Sequence, residues 1–153
     1  MLLRHLPRRA ICAEIGVWKG EFSARILRRT RPKQLHLIDP WKFEAEYPER
    51  YYGGGGAANQ DDMNRVFDDL RSRLAKKRNV VIHRGMSRDV LPTFGDAHFD
   101  WIYIDGNHTY EFVLEDLQLC LRKTKPNGII AGDDYNWRSG EGYPVRRAVS
   151  PKQ

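Results

Sequence analysis

Short apolar runs alternate with segments of helical periodicity along most of the chain. The apolar runs predict five buried strands, over residues 10–17, 34–41, 79–85, 98–106 and 128–135. The periodic segments predict about four helices, from Gly20 to about Arg29, from Met63 to Leu74, over 87–94 and from about Val113 to Leu121, with the start of a last helix at 143–149. Such alternation is typical of a parallel sheet covered by helices.

Two segments interrupt this pattern. Residues 42–60 hold four glycines and three tyrosines and follow neither period, which predicts a loop that could close over a ligand as a mobile lid. The tetrapeptide Lys125-Pro126-Asn127-Gly128 is a stop signal, so we expect the fourth helix to end there. Since no internal repeat and no second domain is visible, we treat residues 1–153 as a single domain.

Right-handed crossovers between parallel strands predict an open, doubly wound sheet of the Rossmann-like type, for which we expect the strand order 3-2-1-4-5. Ligands of such sheets bind outside the carboxyl ends of the strands. A polar or glycine-containing group stands at that end of all five predicted strands. These groups are Glu14 to Gly16, Asp39, Gly85 to Ser87, Asp105 to His108, and Asp133 with Asp134.

The first of these groups leads into a turn that carries Glu14, Gly16 and Gly20. Glycine allows a ligand to approach the backbone, and the N-terminus of the following helix offers free N–H groups. The G-x-G-x-x-G pattern that binds a dinucleotide is absent. An acid at the strand end repels phosphate but suits an ammonium or sulfonium group. A plain tight turn explains the same residues equally well.

The second and third groups suit a nucleoside. Asp39 follows the glycine turn by about twenty residues, where an acid can accept hydrogen bonds from both ribose hydroxyls; the alternative is a helix or turn cap. Met86 could cover an adenine face and Ser87 could bind the edge of that base. Ser87 could equally be the N-cap of the short helix that follows.

Asp105, Asp133 and Asp134 should meet at one rim, because the fourth and fifth strands are expected to be neighbours. Like charges so close together call for a positive partner, and a divalent cation with oxygen ligands, above all Mg²⁺, would supply it. The alternative is that Asp133 or Asp134 caps a turn or pairs with an arginine. His108 could take a proton from a substrate hydroxyl, although a lone histidine is often structural.

The net charge of +6 comes from basic clusters in separate predicted elements. Nucleic acid or an acidic substrate could account for them, but solvated helix faces are the simpler explanation, since no aromatic residues are interleaved and no zinc-ligand spacing is present. The charge is therefore weak evidence for a partner, and nucleic acid is expected to be an unlikely one. No apolar run is long enough to span a membrane. The N-terminus lacks the features of a signal peptide, and Cys12 and Cys120 suit buried thiols, so a cytoplasmic setting is expected.

Taken in order, the stretches AEIGVWKGEFSARIL, LIDPW, RGMSRDVLP, FDWIYIDGNHTYEFVLEDL, AGDDY and VRRAV resemble the class I S-adenosylmethionine-dependent methyltransferases over about residues 10–149. Within this class, the sequence most resembles the group that contains macrolide-sugar O-methyltransferases and cephalosporin-hydroxylase-like proteins. The resemblance implies O-methylation of a small-molecule hydroxyl of the sugar or natural-product type. A nucleic-acid methyltransferase, a cofactor-binding protein without catalysis and, least favoured, a nicotinamide-dependent oxidoreductase are the alternatives.

The resemblance also implies the cofactors and their residues. S-adenosylmethionine would contact the glycine turn, the second and third strand ends and the rim of the fourth strand, at Glu14, Gly16, Gly20, Asp39, Met86, Ser87 and Asp105. Mg²⁺ would be held by Asp105, Asp133 and Asp134, and catalysis would fall to His108 as the general base together with Asp105.

One feature departs from the family pattern. Its members usually continue past the fifth strand with a helix and an antiparallel strand pair, whereas this sequence reaches Gln153 where that helix would form. We therefore expect the C-terminal antiparallel strands to be missing. An uncovered strand edge tends to pair with another chain, so a homo-oligomer formed through the sheet edge or the C-terminus is a further expectation.

Overall fold

Five parallel strands form the centre of the computed structural model, which describes residues 2–140 and 142–150. They are β1 (Ile11–Ile15), β2 (Gln34–Asp39), β3 (Val80–Arg84), β4 (Phe99–Ile104) and β5 (Thr124–Gly132). Their order, β3-β2-β1-β4-β5, confirms the predicted doubly wound sheet. The order reverses between β1 and β4, and the chain leaves these two neighbouring strands in opposite lateral directions, which opens a crevice at their carboxyl ends.

The helices are α1 (Glu21–Thr30), α2 (Gln60–Leu74), α3 (Ser87–Val90), α4 (Tyr110–Lys123) and α5 (Pro144–Val149). Turns of 3-10 helix cover Leu2–Arg4 and Leu91–Thr93. The predicted helix over 87–94 is thus divided, because Pro92 has no N–H with which to continue the α-helical pattern. Within the described residues, no helix combines the length and the apolar character that a bilayer crossing requires.

The sheet is buried on both faces, and alternate residues of one strand enter different cores. On β2, Leu35 and Leu37 pack into the larger core beneath α1 and α2. Ile38, on the opposite face, packs with Leu91 and Phe99. Burial on both sides explains why the strands read as nearly continuous apolar runs in the sequence.

The structure corrects two boundaries. The predicted loop over 42–60 contains one turn of π-helix at Tyr51–Gly55, and α2 begins at its last residue, Gln60. The stop signal at 125–128 ends no helix, because α4 has already ended at Lys123. These four residues lie within β5, where pairing advances two residues on β4 (Phe99 to Trp101) but five on β5 (Thr124 to Ile129). The proline and glycine therefore mark a bulge.

Gly16 joins the carboxyl ends of three strands. Its N–H donates to the carbonyl of Ile38 at 3.0 Å, and the N–H of Asp105 donates to the carbonyl of the neighbouring Ile15 at 2.7 Å. Gly16 has φ of +82°, and a Cβ added there would lie 1.9 Å from the carbonyl oxygen of Asp105. A side chain is thus excluded both by backbone conformation and by space.

We expect Gly16→Ala to lower the free energy of unfolding by at least about 2 kcal/mol, since it combines an unfavourable φ with overpacking. Urea denaturation followed by circular dichroism measures the change. Gly95→Ala is the matched control, because nothing lies within 4 Å of its added Cβ. Equal stability of the two variants would show that the strand junction can adjust to a methyl group.

Candidate functional site

A cavity of about 620 Å³ opens at the carboxyl ends of β1, β2 and β4, where a ligand was expected. This volume is typical of small-molecule and cofactor sites. Nine of the ten predicted site residues line it, namely Glu14, Gly16, Asp39, Met86, Ser87, Asp105, His108, Asp133 and Asp134.

Gly20, the tenth predicted residue, does not line the cavity. It precedes α1 with φ of +73°, and a Cβ added there would lie 2.3 Å from Cδ1 of Leu70 on α2. Its absent side chain therefore allows the start of α1 to pack closely on α2. Gly20 thus supports the turn through helix packing and is not part of the cavity wall.

Asp39 binds the loop above it. Its Oδ2 accepts hydrogen bonds from the backbone N–H groups of Val17 at 2.8 Å and Trp18 at 2.9 Å, and its Oδ1 accepts one from Trp41 at 2.7 Å. Burial raises the pKa of this carboxyl group, while the three N–H donors act in the opposite direction. The residue thus acts as the turn cap that the sequence left open as an alternative. Its Oδ1 has only one of these donors and remains able to accept a further hydrogen bond.

Glu14 is the most deeply buried acid of the site, with 1% of its surface exposed. The hydroxyl of Ser23, on α1, donates to Oε2 at 2.6 Å. Burial raises the pKa of Glu14 to about 8; the Ser23 hydrogen bond opposes the rise, and the charges of Asp105 and Asp39 add to it. This carboxyl group therefore carries a proton at neutral pH unless a positive group lies beside it.

Asp116 is a site residue that sequence reasoning missed. It lies on α4, lines the cavity beside Met86 and Ser87, and is 4% exposed. The hydroxyl of Ser87 donates to its Oδ1, so Ser87 does not cap α3, and the N-cap alternative is wrong. Burial raises the pKa of Asp116 to about 6, against the effect of the Ser87 hydrogen bond. The sequence does carry a signal for Asp116, because this acid shares the helix face of the buried Val113 and Cys120.

Asp105, His108 and Asp134 form the polar centre of the rim, each with a potential ligand atom within 4.8 Å of the others. Nε2 of His108 lies 3.5 Å from Oδ1 of Asp105 and 3.2 Å from Oδ2 of Asp134. This nitrogen is buried and makes no well-aligned hydrogen bond. Asp105 and His108 were both expected at the reacting centre, and the structure brings them together.

Asp133 lies outside this group, although it was expected to complete a set of three carboxylates. Its Oδ2 accepts a hydrogen bond from the hydroxyl of Tyr103 at 3.2 Å, and its Oδ1 accepts one from the backbone N–H of Asp134 at 2.9 Å. The carboxylates that approach each other are those of Asp105 and Asp134, and the third member of the group is a histidine.

Arg50 is the second residue that sequence reasoning missed. One of its terminal nitrogens lies 3.2 Å from Nδ1 of His108, and its guanidinium lies over the ring of Trp137 at 4.3 Å. Because arginine can only donate, Nδ1 accepts this hydrogen bond and a neutral His108 carries its proton on Nε2. An arginine from the loop over 42–60 therefore contacts the histidine of this group, while its own ion pair is with Glu49 at 3.2 Å.

The cavity lies at the switch point, the place where the strand order reverses between β1 and β4. The sheet and this cavity place the chain in the class of Rossmann-like domains, which bind small molecules at the carboxyl ends of their strands. Within that class, the profile of a family described as "Methyltransferase domain" matches residues 13–135, and the chain belongs to this family. Comparison with curated protein sequences gives no match.

Several solved structures share the fold. A protein from Corynebacterium glutamicum superimposes with a TM-score of 0.66 at 14% identity, covering 97% of this chain and 67% of its own. Cofactor-bound Rv0187 from MTB gives 0.65 at 17% identity, covering 93% and 60%. The O-methyltransferase TomG from Streptomyces achromogenes, solved in complex with SAM, gives 0.62 at 21% identity, covering 93% and 59%. The chain spans about half the length of other structures that it matches, 44% and 56% in two of them.

The raised pKa of Glu14 makes stability depend on pH. The pKa of this carboxyl group is 4.5 in its ordinary state and about 8 in the folded protein, so between these pH values the folded state holds a proton that the unfolded chain releases. Stability should therefore fall as pH rises through this range. Glu14→Gln keeps an acceptor for Ser23 but removes the titration. Relative to the unmodified protein, this variant should gain on the order of 3 kcal/mol between about pH 5 and about pH 8, measured by urea denaturation. Glu111→Gln, on an exposed position, is the control, and a gain independent of pH would contradict the burial of a titrating acid.

Proposed function

We propose that this chain is the cofactor-binding and catalytic core of an S-adenosylmethionine-dependent methyltransferase that acts on a hydroxyl of a small molecule. The observation that carries the proposal is the cavity at the switch point, which joins a buried acid at the end of β1 to a histidine and two acids after β4 and β5. Family membership supports the cofactor, and the SAM complex of the neighbour TomG agrees with it. TomG is an O-methyltransferase, which favours an oxygen acceptor of natural-product type.

The cavity residues fit each part of this cofactor. Gly16 presents bare backbone, and Glu14 would lose its proton beside a cationic group, so a sulfonium or ammonium would be favoured there. The free acceptor capacity of Asp39 Oδ1 suits a ribose hydroxyl. When bound, the cofactor supplies a methyl group activated by the positive sulfur.

The adenine would lie against Met86, as expected from its position after β3, with its exocyclic amine facing Asp116. Oδ1 of Asp116 is held by Ser87, whereas its Oδ2 has no donor among the residues that the structure describes. Asp116 lines the cavity, so Oδ2 can accept a hydrogen bond from a ligand there. An amino group meets this requirement, and a keto group does not.

His108 is proposed as the proton acceptor. Nε2 lies 3.5 Å from Asp105 and 3.2 Å from Asp134 without an aligned hydrogen bond, and the contact with Arg50 leaves Nδ1 as the accepting nitrogen. Arg50 now donates to this atom, so an acceptor hydroxyl would take the place of the guanidinium and pass its proton to Nδ1. The loop over 42–60 would then move when the acceptor binds, as expected of a lid.

Mg²⁺-assisted transfer is the second candidate, favoured by the cluster of Asp105, His108 and Asp134. A cation there would lower the pKa of a coordinated hydroxyl. It would need the lone pair of His108 Nε2, so the proton would have to move to Nδ1 and Arg50 would have to withdraw. One nitrogen ligand beside two carboxylates also suits Mn²⁺ or Zn²⁺ better than Mg²⁺.

Calorimetry with S-adenosylhomocysteine tests the cofactor. We expect binding, and about tenfold weaker binding to Asp116→Asn, because the amide can turn its own donor toward the adenine amine. The inosine analogue, with oxygen in place of that amine, should bind the unmodified protein more weakly. Glu111→Gln, at an exposed position of the same helix, should change neither affinity. Absence of any binding would refute the cofactor, whereas equal affinities for both nucleosides would refute only the role of Asp116.

The metal is tested without knowledge of the acceptor. If a cation binds the cluster, the electron paramagnetic resonance signal of free Mn²⁺ should fall on addition of the protein, and Asp134→Asn should abolish this effect. Asp133→Asn serves as the control, since its carboxylate faces Tyr103. Arg50→Ala should strengthen Mn²⁺ binding, because it releases Nδ1 to carry the proton. Identical binding to Asp134→Asn would place any metal elsewhere.

A further inference from the structure

Basic clusters that are far apart in the sequence meet at one end of the sheet. β1, β2 and β3 are parallel neighbours, so the segments that enter them lie side by side at their amino ends. We name this surface the basic face. It comprises Arg8, Arg9, Arg28, Arg29, Arg31, Lys33, Lys76, Lys77 and Arg78, all of them exposed, and the segments 8–10, 28–33 and 76–79 contain no acid.

Backbone contacts fasten the three segments into one surface. The N–H of Arg9 donates to the carbonyl of Thr30 at 3.1 Å, and that of Lys33 donates to the carbonyl of Ala10 at 2.8 Å. The amide of Asn79 donates to the carbonyl of Pro32 at 2.9 Å. The backbone positions that carry the charges are thus fixed relative to one another.

Acids leave most of the charge of the basic face uncompensated: Lys33 interacts with Asp100, but Asp100 makes its ion pair with Lys125. Among the ion pairs found in the described residues, none involves any of its nine members. The chain has a net charge of +6, so everything outside these nine residues is net negative. The helix dipole accounts for the basic residues in the last turn of α1, Arg28 and Arg29, but not for Arg8 and Arg9, which precede a strand.

We propose that the basic face docks the phosphate backbone of a nucleic acid without reading its sequence. Arginine predominates, and its guanidinium fork matches phosphate oxygens. The large apolar side chains that are exposed elsewhere, such as Leu121 and Tyr143, all lie outside the three segments, so bases have no stacking platform there and a bilayer has no anchor. The proposal departs from the expectation that nucleic acid is an unlikely partner, because the topology brings together clusters that are separate in the sequence. It lies at the opposite end of the strands from the cavity and does not depend on the proposed methyl transfer.

The test is fluorescence anisotropy with a labelled oligouridylate of about 20 nucleotides. Neutralising about five phosphates would make the affinity fall by about a hundredfold between about 50 mM and about 200 mM salt. The variant Arg8→Gln/Arg29→Gln/Lys77→Gln removes one charge from each segment. It should bind at least about tenfold more weakly and reduce the logarithmic salt slope by about 2.

The matched control, Lys42→Gln/Arg65→Gln/Arg88→Gln, removes three exposed charges that pair with acids away from the basic face. It should retain most of the affinity, and circular dichroism should show both triple variants folded. Failure of the unmodified protein to bind at about 50 mM salt, or equal losses in the two variants, would overturn the proposal. The proposal would also be overturned if the variant of the basic face lost binding to phosphatidylserine-containing vesicles while its RNA binding was unchanged, since the face would then bind a membrane.

Discussion

The carboxylate of Asp39 accepts hydrogen bonds from the backbone of two loops, and the shape of the cavity depends on it. Val17 and Trp18 belong to the turn after β1, and Trp41 belongs to the segment after β2. Without a shared acceptor, these buried N–H groups would each lack a partner, at a cost of about 1–3 kcal/mol apiece. The indole of Trp41 adds a second link, because its N–H donates to the carbonyl of Trp18 at 2.9 Å. The cavity floor is thus fixed before any ligand arrives.

The fixed cavity floor keeps Glu14, Asp39 and Asp105 close to one another, which is electrostatically unfavourable for the folded state. The charges of Asp39 and Asp105 both raise the pKa of Glu14, in addition to the effect of its burial. A buried acid of this kind suits a positively charged ligand, since the attraction to the cation offsets the cost of desolvating the carboxylate. Stability of the empty domain and affinity for a cation would therefore respond to the same residue in opposite directions.

The sequence predicted the sheet, the strand order and the place of the cavity, and nine of its ten predicted site residues line that cavity. Each of these depends on local periodicity and on the topology of parallel strands. The sequence did not predict the directions of the side chains at the rim. Asp133 and Asp134 are adjacent, but Asp134 has φ of +56°, and only its carboxylate approaches His108. Arg50 lies in a segment without periodicity, whose path depends on contacts such as the hydrogen bond from the N–H of Glu44 to the carbonyl of Tyr52. No local rule predicts such a path.

The charge distribution shows that spacing along the sequence does not reveal which charged clusters lie together in the folded chain. In a parallel sheet with helical crossovers, every segment that leaves a strand is at one end of the sheet and every segment that enters a strand is at the other. Acids follow the strands of this chain, as at Asp39 and Asp105, while basic residues precede them, as at Arg9 and Lys33. Clusters spaced tens of residues apart therefore add to one field at each end. Position within the repeating strand-helix unit, not distance along the chain, determines which charges act together.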